Sequence, residues 1–133
     1  MATVLPLVSA ATAALIVLLQ TVLMLAVVRL RRQNRVSLGD GSNPALQTAI
    51  RRHANLAENG GLFIAAISLL EMLGAERYQV GILCGVFLIG RVLHAGAIGK
   101  PSLMKLRIAG IALTAFSGFG LSIRLILKLA SLA

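Results

Sequence analysis

The first charged side chain in this sequence is Arg29. Everything from Val4 to Val28 is uncharged and mostly aliphatic. A run of that length can cross the ~30 Å hydrocarbon core of a bilayer as one helix with some tilt. Three further segments of helical length follow, the first of them polar in its first half and apolar from Leu62 to Leu70, and the expected helices cover residues 4–30, 44–73, 78–98 and 103–129. The expected fold is therefore all-α: a single-domain integral membrane four-helix bundle over residues 1–133. The 58% hydrophobic content agrees, and the 13% charged fraction is about half that of a soluble domain. The N-terminus has no basic region ahead of the first block, so that block reads as a retained span rather than a cleaved signal.

Local signals mark the helix ends. Asn43-Pro44 offers a capping side chain followed by proline at the first helical position. Gly74 is a stop for the second helix. Gly99-Lys100-Pro101-Ser102 separates the third helix from the fourth.

The formal net charge of +9 is not a nucleic-acid footprint, because the basic residues lie between apolar blocks, where membrane orientation accounts for them. Arg29, Arg31, Arg32, Arg35, Arg51 and Arg52 flank the first loop, and Lys100, Lys105 and Arg107 flank the third. The second loop carries only Glu76 and Arg77. This asymmetry places the first and third loops in the cytoplasm and both termini on the opposite side. Arg124 and Lys128 run against it and are expected to snorkel to the outer headgroups. Cys84, the only cysteine, excludes an internal disulfide and reads as a packing residue. No metal-ligand spacing and no phosphate-binding glycine loop is evident. Small residues at Gly81 and Gly85, and at Gly110, Thr114 and Gly118, suit close helix packing, either within a subunit or between subunits.

The chemistry concentrates in the first half of the second helix. At 3.6 residues per turn, Arg51, Asn55 and Glu58 share an arc of roughly 60°, with Asn59 at its border and His53 pointing nearly the opposite way. Ionisable groups at membrane depth are costly and face a protein interior or a wet cavity. The structural reading is an Arg51–Glu58 pair that neutralises itself; the functional reading is a ligand face. Arg91 and His94, three apart, share a face of the third helix. Arg107 sits at the start of the fourth helix, where a cation gains nothing from the helix dipole and needs an anion, either lipid phosphate or a ligand. Several arginines with one carboxylate and an amide suit a small anionic or zwitterionic peptide-like ligand.

These motifs together resemble the MAPEG family, the membrane-associated proteins of eicosanoid and glutathione metabolism. The resemblance rests on Arg31-Arg32 with Arg35-Val36-Ser37, on Arg51-x-x-x-Asn55-x-x-Glu58, on Gly90-Arg91-x-x-His94 and on Arg107-x-x-Gly110. The Gly39-Asp40-Gly41 loop and the His53–Asn59 segment look most like the bacterial branch. The resemblance implies a homotrimer in a bacterial inner membrane, with glutathione as cofactor bound between subunits near the cytoplasmic side. It implies glutathione contacts from Arg31, Arg51, Asn55, Glu58, Arg91, His94 and Arg107. Arg107 would be the catalytic residue that stabilises the thiolate for attack on a lipophilic electrophile. The family's eicosanoid enzymes carry tyrosines on helices three and four. Here Ile98 stands four residues after His94, the fourth helix has no tyrosine, and Tyr78 is the only one in the chain. The implied activity is therefore glutathione transfer rather than eicosanoid synthesis. The alternative is a non-catalytic or lipid-binding scaffold on the same fold. A small multidrug transporter would need a carboxylate in helix one, where only Gln20 is strongly polar.

Topology is directly testable. A reporter fused after Ala133 should be active only on the periplasmic side, and one inserted in the Arg31–Asn43 loop only in the cytoplasm. A cytoplasmic C-terminus would contradict the charge argument.

Overall fold

The computed structural model describes residues 4–132. Four long helices follow one another: α1 (Leu7–Asn34), α2 (Pro44–Met72), α3 (Arg77–Ala97) and α4 (Met104–Ala130), with a single 3-10 turn at Pro101–Leu103. Short connections make neighbours antiparallel. Helices α2 and α3 form the middle of the bundle; α1 packs along α2 and touches α3, while α4 packs along α3 and touches α2. The loops after α1 and α3, which carry most of the basic residues, therefore lie at one end, and the α2–α3 turn and both chain ends at the other.

The local chemistry explains the boundaries. The Asn43 side chain accepts from the N–H groups of Ala45 at 2.9 Å and Leu46 at 3.0 Å, and Pro44 opens α2 as expected. Helix α1 starts after Pro6 and runs a turn beyond the apolar block, through Arg31 and Arg32. Hydrophobicity marked where lipid contact ends. The helix itself continues because arginine is a good helix former and its charge suits a C-terminus. Gly99 has φ +79, and a Cβ there would come within 2.6 Å of Thr48 Cγ2, so only glycine fits this turn. Arg52 Nη2 donates to Ile98 O at 2.7 Å and ties the same turn to α2.

Helices α1, α3 and α4 are long and apolar enough to cross a membrane. Helix α2 is equally long but does not qualify by composition, because Gln47, Arg51, Arg52, His53, Asn55, Glu58 and Asn59 occupy its first half. Of the four expected transmembrane helices three qualify by composition, and α2, expected to be polar in its first half, is a polar-to-apolar helix in the centre. Its apolar half supplies Phe63, Ile67 and Leu70 to a core shared with Val80, Leu83 and Phe87 of α3, Ile16 of α1 and Leu121 of α4. The Phe63 and Phe87 rings stack, with centroids 3.9 Å apart. Cys84 lies in this core, 3% exposed, as a packing residue. Many aliphatic side chains of α1 and α4 face outward, among them Val17 (64% exposed) and Ile126 (65%). In lipid this costs nothing, since acyl chains are as apolar as the side chains.

One buried carboxylate secures the far end. Glu71 of α2 is fully buried. It accepts from the N–H groups of Val8 at 3.1 Å and Ser9 at 2.8 Å, and from Ser9 Oγ at 2.6 Å. The first turn of α1 has no capping side chain of its own, because Pro6 stands at its N-cap. Glu71 fills that role from another helix, satisfying donors that lipid could not and placing a negative charge at the positive end of the dipole. Glu71→Ala is expected to lower stability by about 1.5–3 kcal/mol, the worth of a charge-assisted hydrogen bond, and Glu71→Gln by less, since one acceptor oxygen remains. Thermal unfolding in detergent would show the order. Equal stability of Glu71→Ala and the parent protein would remove the cap from the account.

Candidate functional site

Arg91 is 3% exposed, deep in the basic half of the bundle. Its Nη2 donates to Asn55 Oδ1 of α2 and lies 3.3 Å from Nδ1 of His94, one turn further along α3. Its Nη1 donates to Thr114 Oγ1 of α4 at 3.4 Å. Its Nε is buried with no partner. Among the described residues no arginine or lysine nitrogen lies within 4.0 Å of a side-chain carboxylate. The charge of Arg91 is therefore held by neutral groups on three helices. Arg51 and Glu58 likewise form no pair, which removes the self-neutralising reading of that face.

The close approach of α3 and α4 makes this geometry possible. A Cβ on Gly110 would come within 2.7 Å of both Gly90 O and His94 N, and one on Gly90 within 3.0 Å of Gly110 O. The backbones touch where Arg91 and His94 must reach α4. Thr114 donates to Gly110 O at 2.8 Å, which orients its oxygen to accept from Arg91. The Gly90–Gly110 contact thus works inside the subunit, whereas Gly81, Gly85 and Gly118 have open space where a Cβ would stand.

Asn55, Arg91, His94 and Arg107 line one cleft of about 600 Å³, together with Asn59, Thr114 and Ser122. That volume is in the ~300–1,000 Å³ range of small-molecule sites. Arg107 is exposed at its mouth and Arg91 buried in its wall. Asn59 Nδ2 donates to Asn55 O at 2.8 Å. A second, more apolar cavity of about 200 Å³ adjoins it and shares Asn59, Thr114, Gly118 and Ser122. Glu58 lies on this second cavity, opposite Phe63, Phe87, Leu121 and Leu125. Arg31 and Arg51 stand elsewhere, on a separate depression beside Asp40 and Gln47, where Arg31 Nη1 donates to Ser37 O at 3.2 Å. Within one subunit the structure brings Asn55, Arg91, His94 and Arg107 together, sets Glu58 next door, and leaves Arg31 and Arg51 apart.

Thr114 and Ser122 were not among the expected site residues. Their signal was the spacing Arg107, Ile111, Thr114, Gly118, Ser122, which follows one face of α4. The stripe read as packing because its middle residues are small.

Fold and site define an integral membrane helical bundle with a cationic cleft at its basic end. The chain belongs to the MAPEG family, whose profile matches residues 9–127. It is similar to "Inner membrane protein YecN" from two strains of Escherichia coli, 46% identical over 88 residues. The match covers 65% of this chain and 66% of each relative, just under two thirds of their length.

Gly110→Ala is expected to cost about 1–3 kcal/mol, since the added methyl meets backbone and not a flexible side chain. Gly96→Ala, with open space around it, should be neutral or slightly stabilising. Thermal unfolding of both variants checks this. Equal tolerance would mean the α3–α4 contact is looser than described.

Proposed function

We propose that this protein binds glutathione in the basic cleft and acts as a glutathione transferase toward hydrophobic electrophiles. The observation that carries the reading is Arg91: a buried guanidinium with no carboxylate in contact among the described residues, in the wall of an open cleft that it shares with Arg107. Burial of a guanidinium with no contacting carboxylate is expensive, and an anionic ligand offsets that cost. Glutathione carries two carboxylates for arginines, an ammonium group for Glu58 and a thiol. The membership of the family supports the same ligand class.

The chemistry follows from the placement. Arg107 at the cleft mouth favours the thiolate over the thiol, so the sulfur loses its proton to solvent more readily. The thiolate then attacks an electrophilic carbon, forming a C–S bond as the leaving group departs with its electron pair. The adjoining apolar cavity, which shares a wall with the polar one, suits the electrophile. On this reading α2 crosses the bilayer as a fourth span, its polar face turned to the cleft. Arg31 and Arg51, too distant from their own cleft, serve the cleft of a neighbouring subunit in a homotrimer.

Glu58→Gln and Arg51→Ala should each weaken glutathione binding about ten- to a hundredfold, or about 1.5–3 kcal/mol, by calorimetry on detergent-purified protein of verified trimeric mass. If both bind like the parent, the ligand face is misassigned. A monomer would remove the shared site. Arg107→Ala should lower turnover with an aryl halide by roughly ten- to a thousandfold (~1.4–4 kcal/mol in the barrier) while affecting binding much less. Unchanged turnover in that variant would move the role to another residue, and no turnover in the parent protein would favour the scaffold alternative.

A further inference from the structure

The opposite end of the bundle holds a second charged cavity that the proposed chemistry does not use. It measures about 340 Å³ and lies between the α2–α3 turn and the end of α4. Arg124 and Lys128, one turn apart on α4, line one side, and Glu76 and Gln79 of the α3 start line another, over an apolar floor that includes Leu70 and Leu127. Neither cation lies within 4.0 Å of a carboxylate among the described residues. Gln79 Nε2 donates to Glu76 at 3.3 Å, and Gln79 Oε1 is buried with no partner. The cavity thus offers two cations and one carboxylate.

The charge asymmetry of the loops makes this end the one where basic residues are disfavoured. A C-terminal position explains Lys128, whose charge suits the helix dipole. Arg124 lies a turn earlier, and the dipole does not account for the carboxylate across from the pair. A phosphate for the cations and an N–H donor for Glu76 satisfy these groups together. The helix ends put the cavity at the level of membrane headgroups, and Ile123, Ile126 and Leu127 beside it are 57–65% exposed, which gives acyl chains an apolar track.

We propose that this cavity is a headgroup site for an aminophospholipid, with the phosphate between Arg124 and Lys128 and the primary ammonium on Glu76. A choline headgroup has no N–H to donate, so the site should distinguish the two lipids. The proposal is independent of the glutathione reading, since it uses none of the same residues.

The test is native mass spectrometry of the full-length protein, released from micelles containing equal amounts of phosphatidylethanolamine and phosphatidylcholine. The parent protein should retain phosphatidylethanolamine at least threefold over phosphatidylcholine. Arg124→Ala combined with Lys128→Ala should lose retention of both lipids. Glu76→Gln should keep phospholipid but lose the preference. Unfolding temperatures matching the parent would show that these surface variants are folded. Equal retention of the two lipids by the parent, or undiminished retention by the double variant, would overturn the proposal. So would displacement of the lipid by millimolar phosphoethanolamine, which would identify a soluble zwitterion as the ligand.

Discussion

A single guanidinium joins three of the four helices. Arg91 stands on α3, donates to Asn55 on α2 and to Thr114 on α4, and lies against His94 on its own helix. In an apolar surrounding each of these hydrogen bonds is strong, and each unmade one is expensive. The backbone contact at Gly90 and Gly110, the turn of Thr114 toward Arg91 and the polar first half of α2 all serve that node. Its hydrogen-bond partners are neutral, so the node fixes geometry without an ion pair at its centre.

The two ends of α2 handle buried polarity in opposite ways. At the far end Glu71 is spent on structure: its oxygens accept from the first turn of α1. At the basic end Arg91 forms part of the wall of the open cleft, with no carboxylate in contact among the described residues. A carboxylate satisfied by fixed donors stabilises a fold. A guanidinium held by neutral partners, in the wall of a cavity, is poised for a ligand. The Phe63–Phe87 core lies between them and separates the Glu71 cap from the end that carries the open cleft.

Much of the fold was legible in the sequence because membrane helices announce themselves by length, loop charge and caps. Asn43-Pro44 and Gly74 marked α2 correctly, and Arg91 and His94 share the face that their spacing requires. The reach of α1 through Arg32 was not legible, since the apolar block reports lipid contact and not hydrogen bonding. The role of Glu71 was hidden for another reason. Its partners lie more than sixty residues away, and no local pattern signals a cap supplied by another helix. The helical wheel grouped Arg51 with Asn55 and Glu58, yet seven residues of α2 span ~10 Å along the axis. A shared arc therefore does not mean a shared cavity, and the structure sets Arg51 on a different depression.

The claim on which the rest depends is that the basic cleft holds an anionic thiol ligand and favours its thiolate. Ultraviolet titration of glutathione bound to the detergent-purified protein tests it most directly. The bound thiol is expected to ionise at a pH at least one unit below the ~8.5 of a free cysteine thiol, with a saturable thiolate signal of one site per cleft. Saturable binding with a thiol that titrates as it does in water, or no saturable binding at all, would contradict it.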